Sequence, residues 1–210
     1  MKLLNVAVIE GCHPFAVPPW HKLFRAMPGI DYYPQVIDNW AIDWGHVRTA
    51  YDVLLFYNMN MSPAGAPLDT AIAQLGETPQ GIVMLHHALL AYPEDATWSD
   101  VVGIRPRTFG FHPDQEYTLQ PVLQPAHPIT AGLQPAAFKD ETYTMAEPDA
   151  TSQILFTAAH PKSMHAMGWV RTHKQARVFC FQPGHDQLAW ENPAFREILL
   201  RGIRWSAKQL

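Results

Sequence analysis

The sequence predicts a three-layer α/β sandwich: a mainly parallel sheet with helices on both faces and a β-rich insertion late in the chain. Three observations carry that expectation. Short, mostly apolar runs such as Leu3–Ile9, Tyr51–Tyr57 and Gly81–Leu85 each end abruptly in polar or turn-forming residues, the pattern of strands buried on both faces. Between them lie segments with apolar residues at helical spacing. After residue 105 the pattern turns strand-rich. Early alternation of strand and helix with a late cluster of strands is the signature of a layered α/β domain.

Taken in order, Leu3–Ile9 reads as the first strand, emptying into Glu10, Gly11, Cys12, His13 and Pro14. Trp20, Leu23, Phe24 and Met27 mark the buried face of a helix stopped by Pro28–Gly29. A strand is expected at 32–37 and another at 51–57, with 40–47 open between helix and strand. Leu68, Ile72 and Leu75 outline a short helix, and Gly81–Leu85 is a strand that delivers His86 and His87. Residues 98–104 read as a short helix or turn, and 105–113 as a loop. Tyr117–Leu123 alternates but contains proline, which suits an edge strand. A loop at 127–133 follows, then Phe138–Tyr143, which carries Asp140 and Glu141. Ile154–Ala158 is another strand, and 167–172 with 177–181 form a hairpin whose second strand stops at Gln182, Pro183 and Gly184, exposing His185 and Asp186. Asn192 before Pro193 is a helix start, with Phe195, Ile198, Leu199 and Ile203 on the buried face of the closing helix.

Composition narrows function. At 210 residues with 48% hydrophobic content the chain suffices for one full core, so a single domain over 1–210 is expected. The net charge of -4, without a basic cluster, leaves nucleic acid and anionic membranes without an electrostatic footprint. The first apolar run is interrupted at Glu10, too early for a signal peptide, and no run approaches membrane-spanning length, so the expected compartment is the cytoplasm. The two cysteines, Cys12 and Cys180, sit in or beside apolar strands and are expected to be free thiols. The expected partner is a small neutral molecule.

No phosphate-binding glycine motif is present, and no serine or cysteine stands at the elbow after Leu85 where a covalent nucleophile would sit. What remains at strand ends and in loops is His13, His86, His87, His112, Glu141, His185 and Asp186. Imidazole and carboxylate together can perform acid–base chemistry near neutral pH or bind a divalent metal such as zinc, and the spacing leaves both open. His86 and His87 are adjacent, so an extended backbone would point them to opposite faces. Tryptophans, among them Trp20, Trp98, Trp169 and Trp190, are candidates for stacking on a sugar ring.

Several of these segments together resemble one family. Leu85-His86-His87-Ala88, Phe111-His112-Pro113, the run His127-Pro128-Ile129-Thr130-Ala131-Gly132-Leu133, Asp140-Glu141-Thr142-Tyr143, Gly184-His185-Asp186 and Gly202-Ile203-Arg204-Trp205 occur in the order seen in trehalose-utilisation (ThuA-like) proteins. That resemblance implies a flavodoxin-like sandwich of the class I glutamine amidotransferase type without its nucleophile, and a role in carbohydrate metabolism. It singles out His86, His112, Glu141 and His185, of which His86, Glu141 and His185 are the catalytic candidates. His13, Trp20, His87, His112, Asp140, Tyr143, Trp169 and Asp186 are expected around a substrate. His87 stands where relatives often carry a small residue such as serine. The function expected is a sugar- or keto-sugar-processing enzyme, with a non-catalytic sugar-binding or regulatory module as the alternative. A small-molecule sugar is the expected partner, and a homo-oligomer is left open.

Overall fold

The computed structural model describes residues 3–210; Met1 and Lys2 lie outside them. Its strands are β1 (Leu4–Gly11), β2 (Ile30–Val36), β3 (Val53–Asn58), β4 (Gly81–Leu85), β5 (Phe109–Pro121), β6 (Ala136–Met145), β7 (Gln153–Thr157), β8 (Ala166–His173) and β9 (Ala176–Phe181). The helices are α1 (Val17–Arg25), α2 (Ile37–Ile42), α3 (Leu68–Ala73), α4 (Ala96–Val102), α5 (Gln187–Glu191) and α6 (Pro193–Ser206). The strands form one sheet in the order β2-β1-β3-β4-β9-β8-β7-β5-β6. Pairing is parallel from β2 to β9 and antiparallel from β9 to β6, so the late β-rich segment continues the sheet.

Period-two alternation sorts the buried strand residues into two cores. Val6, Val8, Leu55, Val83, Leu85, Phe179 and Phe181 face one core with α1, α5 and α6. Ala7, Ile9, Leu54, Phe56, Ile82, Met84 and Cys180 face the other with α2, α3 and α4. The mostly apolar runs follow from this geometry, since a central parallel strand has helices on both sides. Gly202 lets α6 lie close on the sheet: a Cβ there would stand 2.0 Å from Phe179 Cδ1.

Local chemistry sets the helix ends. Asn192 caps α6 by accepting from the Ala194 N–H at 2.9 Å, with Pro193 in the first turn, as expected from sequence. Asp95 does the same for α4 through the Trp98 N–H at 2.7 Å. Gly103, at φ 80°, takes the left-handed residue that ends α4.

One strand expectation needs correction: residues 109–113 are strand rather than loop. Within 117–121, Tyr117–Leu119 pair only with β6 and Gln120–Pro121 only with β7, so each residue has a neighbour on one side, which is how the segment accommodates Pro121. The last strand of the sheet is β6. Pro113 is tolerated because the register shifts between His112 and Gln115, leaving a bulge in which a missing N–H costs little. No helix among the described residues is long and apolar enough to cross a membrane. Both cysteines are free, Cys180 in the core and Cys12 exposed just past β1, outside the apolar setting expected of it.

Candidate functional site

β1, β3, β4 and β9 run parallel, so their carboxyl ends open on the same edge of the sheet, where open α/β sheets bind ligands. β4 ends at Leu85, and the chain turns at once into a 3-10 helix, His86–Leu89, with His86 at φ 51°. A left-handed backbone is costly for a residue with a Cβ and persists where the surroundings enforce it. Here it drives the His86 ring into the protein, where it is fully buried.

The bonds of that ring define its protonation. Nδ1 lies 2.6 Å from the Gln182 carbonyl oxygen, which can only accept, so Nδ1 carries the hydrogen and Nε2 bears the lone pair. Nε2 meets the Tyr143 hydroxyl at 2.6 Å and Glu141 Oε1 at 3.5 Å. Burial holds the His86 pKa below its ordinary value, against the pull of Glu141. Burial pushes the Glu141 carboxyl up, but the hydrogen bond and charge that His86 supplies when protonated, the charge of His185 and a hydrogen bond from Tyr143 outweigh it and leave it below the usual range. Near neutral pH the cluster is therefore a neutral imidazole beside a carboxylate, with Tyr143 a protonated phenol whose pKa burial raises.

The second wall is the loop after β9, and Asp140 fixes it. This carboxylate is 3% exposed and accepts three backbone N–H bonds: Gly184 at 2.6 Å, His185 at 3.1 Å and Glu141 at 2.8 Å. Burial raises its pKa to about 7, opposed by those three donors. From the other side the Tyr57 hydroxyl donates to the carbonyls of Gly184 and His185, both at 3.0 Å, and the Trp190 indole N–H donates to Gly184 O at 2.9 Å. Gln182 Nε2 donates to the Glu141 carbonyl at 3.1 Å, tying the β9 exit to β6. Gly184 sits at φ 131°, and its Cβ-free surface lies against Phe195. The result is a half-exposed His185 whose ring centre is 5.4 Å from that of His86.

His86, Glu141 and His185 each present one ligating atom, and these atoms lie within 4.8 Å of one another. The structure thus brings together the three residues singled out as catalytic candidates. His13 joins them: its ring is 4.3 Å from His87 and 5.7 Å from His185. Tyr143 is also in the cluster.

Other expectations change. The rings of His86 and His87 are not on opposite faces: the tight turn replaces extended backbone, both are buried, and their centres are 5.2 Å apart. His87 donates from Nε2 to the Tyr57 carbonyl at 3.3 Å, and burial lowers its pKa well below the ordinary value. His112 does not join the cluster. It pairs across the strands with Thr142 and meets Thr144 Oγ1 at 3.2 Å, so alternation puts it on the face of β6 opposite Glu141 and Tyr143. Asp140 is spent on backbone amides, not free for a substrate. Asp186 caps α5, its Oδ1 accepting from the Leu188 N–H at 2.8 Å. Trp20 and Trp169 are fully buried, bonded through their indole nitrogens to Glu10 and the Val102 carbonyl, and Trp98 and Trp190 are buried too, so none offers a face to a sugar. Tyr57 and Gln182 were not foreseen. The signal available was a hydroxyl and an amide closing otherwise apolar runs.

A layered α/β sheet that carries an imidazole at the elbow after β4 defines the class by fold: a flavodoxin-like sandwich with its candidate site at the carboxyl ends of the parallel strands. The particular family follows from sequence. Residues 45–206 match the family model described as trehalose utilisation, ThuA, and the chain belongs to that family, whose role is carbohydrate-related. A ThuA-like protein from Parabacteroides merdae superposes with a TM-score of 0.79 at 17% identity, over 98% of this chain and 90% of that one. One from Bacteroides uniformis gives 0.71 at 16%, over 98% and 91%. A glutamine amidotransferase from Thermotoga maritima gives 0.54 at 10%, over 99% and 100%. At these identities the likeness concerns the fold. A search of curated proteins gave no match.

Proposed function

We propose that this protein is an enzyme that processes a sugar or keto-sugar at the His86–Glu141–His185 cluster, abstracting a proton next to a carbonyl to isomerise the substrate or eliminate from it. The observation that carries the reading is the convergence of one carboxylate and two imidazoles within 4.8 Å at the carboxyl edge of the sheet. Glu141, ionised and largely buried with its carboxylate at the cluster, is the base. It takes the α-proton, the C–H electron pair becomes an enediolate, and His185 steadies the oxyanion. The proton then returns to the neighbouring carbon, or a β-substituent leaves with the electron pair. His86, neutral and held at Nδ1 by the Gln182 carbonyl and at Nε2 by the Tyr143 hydroxyl, stands beside Glu141 and positions it.

The same three side chains also suit a divalent metal, the second form of this reading. Four tetrahedral ligands ~2.0 Å from zinc stand ~3.3 Å apart, close to the 3.5 Å between His86 Nε2 and Glu141 Oε1. Two nitrogens and one oxygen favour zinc-class ions over magnesium or calcium. Such an ion would polarise the carbonyl oxygen, and metal analysis of the purified protein decides between the two forms.

The function is tested by incubating the protein with a panel of sugars and keto-sugars and following products by mass spectrometry. His185→Ala and Glu141→Ala should each abolish turnover while circular dichroism shows an unchanged fold. Retained activity in both removes the assignment. Binding without product would favour a non-catalytic sugar-binding module.

A further inference from the structure

A second feature of the same sheet edge lies outside the cluster. The chain leaves β1 toward β2 on one side and later returns to place β3 on the other, so the sheet has a topological switch point between β1 and β3. Loops diverge there and leave a crevice, the usual ligand position in open α/β sheets. A cavity of about 380 Å³ occupies it, walled by Cys12 after β1, Asn60 and Met61 after β3, Asp38 and Ile42 of α2, and Tyr92.

Its polar groups are organised. Asn60 donates from Nδ2 to Cys12 Sγ at 3.1 Å, accepts from Asn58 Nδ2 at 3.0 Å, and takes the Tyr92 N–H on its carbonyl at 2.6 Å. Tyr92 is 1% exposed, yet its buried hydroxyl has no hydrogen-bond partner in the protein. An unpaired buried hydroxyl is expensive to keep unless something meets it. Burial raises the pKa of that hydroxyl, with smaller contributions from the charges of Cys12, Asp38 and Asp95.

We propose that this cavity is a second binding site, for a neutral hydroxylated ring such as a sugar residue, beside the His86–Glu141–His185 cluster. The lining contains Asp38 but no lysine or arginine, which disfavours phosphate or carboxylate ligands. Amide, carboxylate and phenol groups suit hydroxyls, which both donate and accept. Ile42 and Met61 supply an apolar wall for C–H faces, as a small-molecule site requires. The site adjoins the cluster through consecutive residues, because His13 follows Cys12 and stacks on His87. The identity of the ligand rests on the carbohydrate reading above; the location does not.

Cys12 makes the site testable, since Cys180 is fully buried and leaves one reactive thiol in the native protein. Ellman's reagent is used to label Cys12 in the presence of glucose, methyl glucosides and a set of α- and β-linked diglucosides, and affinities are read in parallel by calorimetry, which needs no thiol. At least one of these sugars should slow labelling about tenfold or more at saturation. Tyr92→Phe, which removes only an unpaired hydroxyl and should leave folding intact, should weaken binding about 3- to 10-fold, the worth of one hydrogen bond. Asp38→Asn should act in the same direction. Glu141→Gln should protect Cys12 as well as the wild type does, which separates this site from the chemistry: protection without turnover would sink only the catalytic reading. Failure of every sugar in the set to protect Cys12, or protection and affinity that Tyr92→Phe and Asp38→Asn both leave unchanged, overturns the second site.

Discussion

The two halves of the sheet build the site in different ways. The parallel half, β2-β1-β3-β4-β9, is covered by helices on both faces, and its contributions come from the places where strands stop: His13 after β1, His86 and His87 after β4, His185 after β9. The antiparallel half contributes Glu141 and Tyr143 from the interior of the edge strand β6. One half places side chains by topology, because parallel strands must all end on one edge. The other places them by pairing and pleat, so that a shift of one residue would turn Glu141 away and bring Thr142 inward. The halves meet through Asp140, a carboxylate on β6 that holds the backbone of Gly184 and His185.

If that division is right, breaking the junction should have the largest effect. Asp140→Ala leaves three N–H groups without their acceptor, at roughly 1–3 kcal/mol each before relaxation, so a loss of about 3 kcal/mol or more is expected from urea unfolding. Asp140→Asn, whose remaining oxygen can still accept, should cost less. A smaller loss is expected within the parallel half. Gly202→Ala would drive a Cβ to 2.0 Å from Phe179 Cδ1, and overpacking of this kind costs about 1–3 kcal/mol; chemistry at the cluster should survive it.

Acid should then weaken the scaffold away from the cluster. His127 and His173 both have pKa values lowered by burial, with the charges of Arg177 and Lys174 respectively adding to it. Their folded values lie below the unfolded value of about 6.5, so the unfolded chain takes up protons first as pH falls through that region. Asp140, with its folded pKa raised to about 7, acts in the opposite direction over the same range, so the effect is read as a difference: the urea midpoint of the wild type minus that of the His127→Gln, His173→Gln double variant should hold steady above about pH 7.5 and fall as pH is lowered below about 6.5. A difference that rises on acidification would contradict the burial of these rings. The smallest effect is expected at the exposed part of the antiparallel half: Phe111→Ser, at a ring 62% exposed on β5, should change stability by no more than about 0.5 kcal/mol.

The same division explains what the sequence disclosed. Strands β1, β3, β4 and β9 were legible because burial on both faces leaves a mostly apolar run, and the strand-end histidines followed from it. The β5–β6 hairpin was not. Its outer part is exposed, Pro113 interrupts the pattern, and the bulge that accommodates the proline is invisible to period-two counting, so residues 109–113 read as loop and His112 as a site residue. His87 was misplaced because no local signal announces a left-handed His86. The tryptophans were misread for another reason: composition counts aromatics without saying which of them fill the core, and Trp20 and Trp169 do. Asp140 and Tyr57 act on backbone atoms distant in sequence, which no motif records.

The central claim is that Glu141, from the antiparallel half, is the base working against His86 and His185 from the parallel half. It is tested most directly by proton NMR of keto-sugars in D2O, following exchange of the hydrogen next to the carbonyl. The wild-type protein should replace that hydrogen with deuterium in at least one keto-sugar, and Glu141→Gln, with an unchanged melting profile, should exchange it about 10²- to 10⁴-fold more slowly. Exchange in the variant within a few-fold of wild type, or no exchange in any sugar that the wild type converts, would contradict the account.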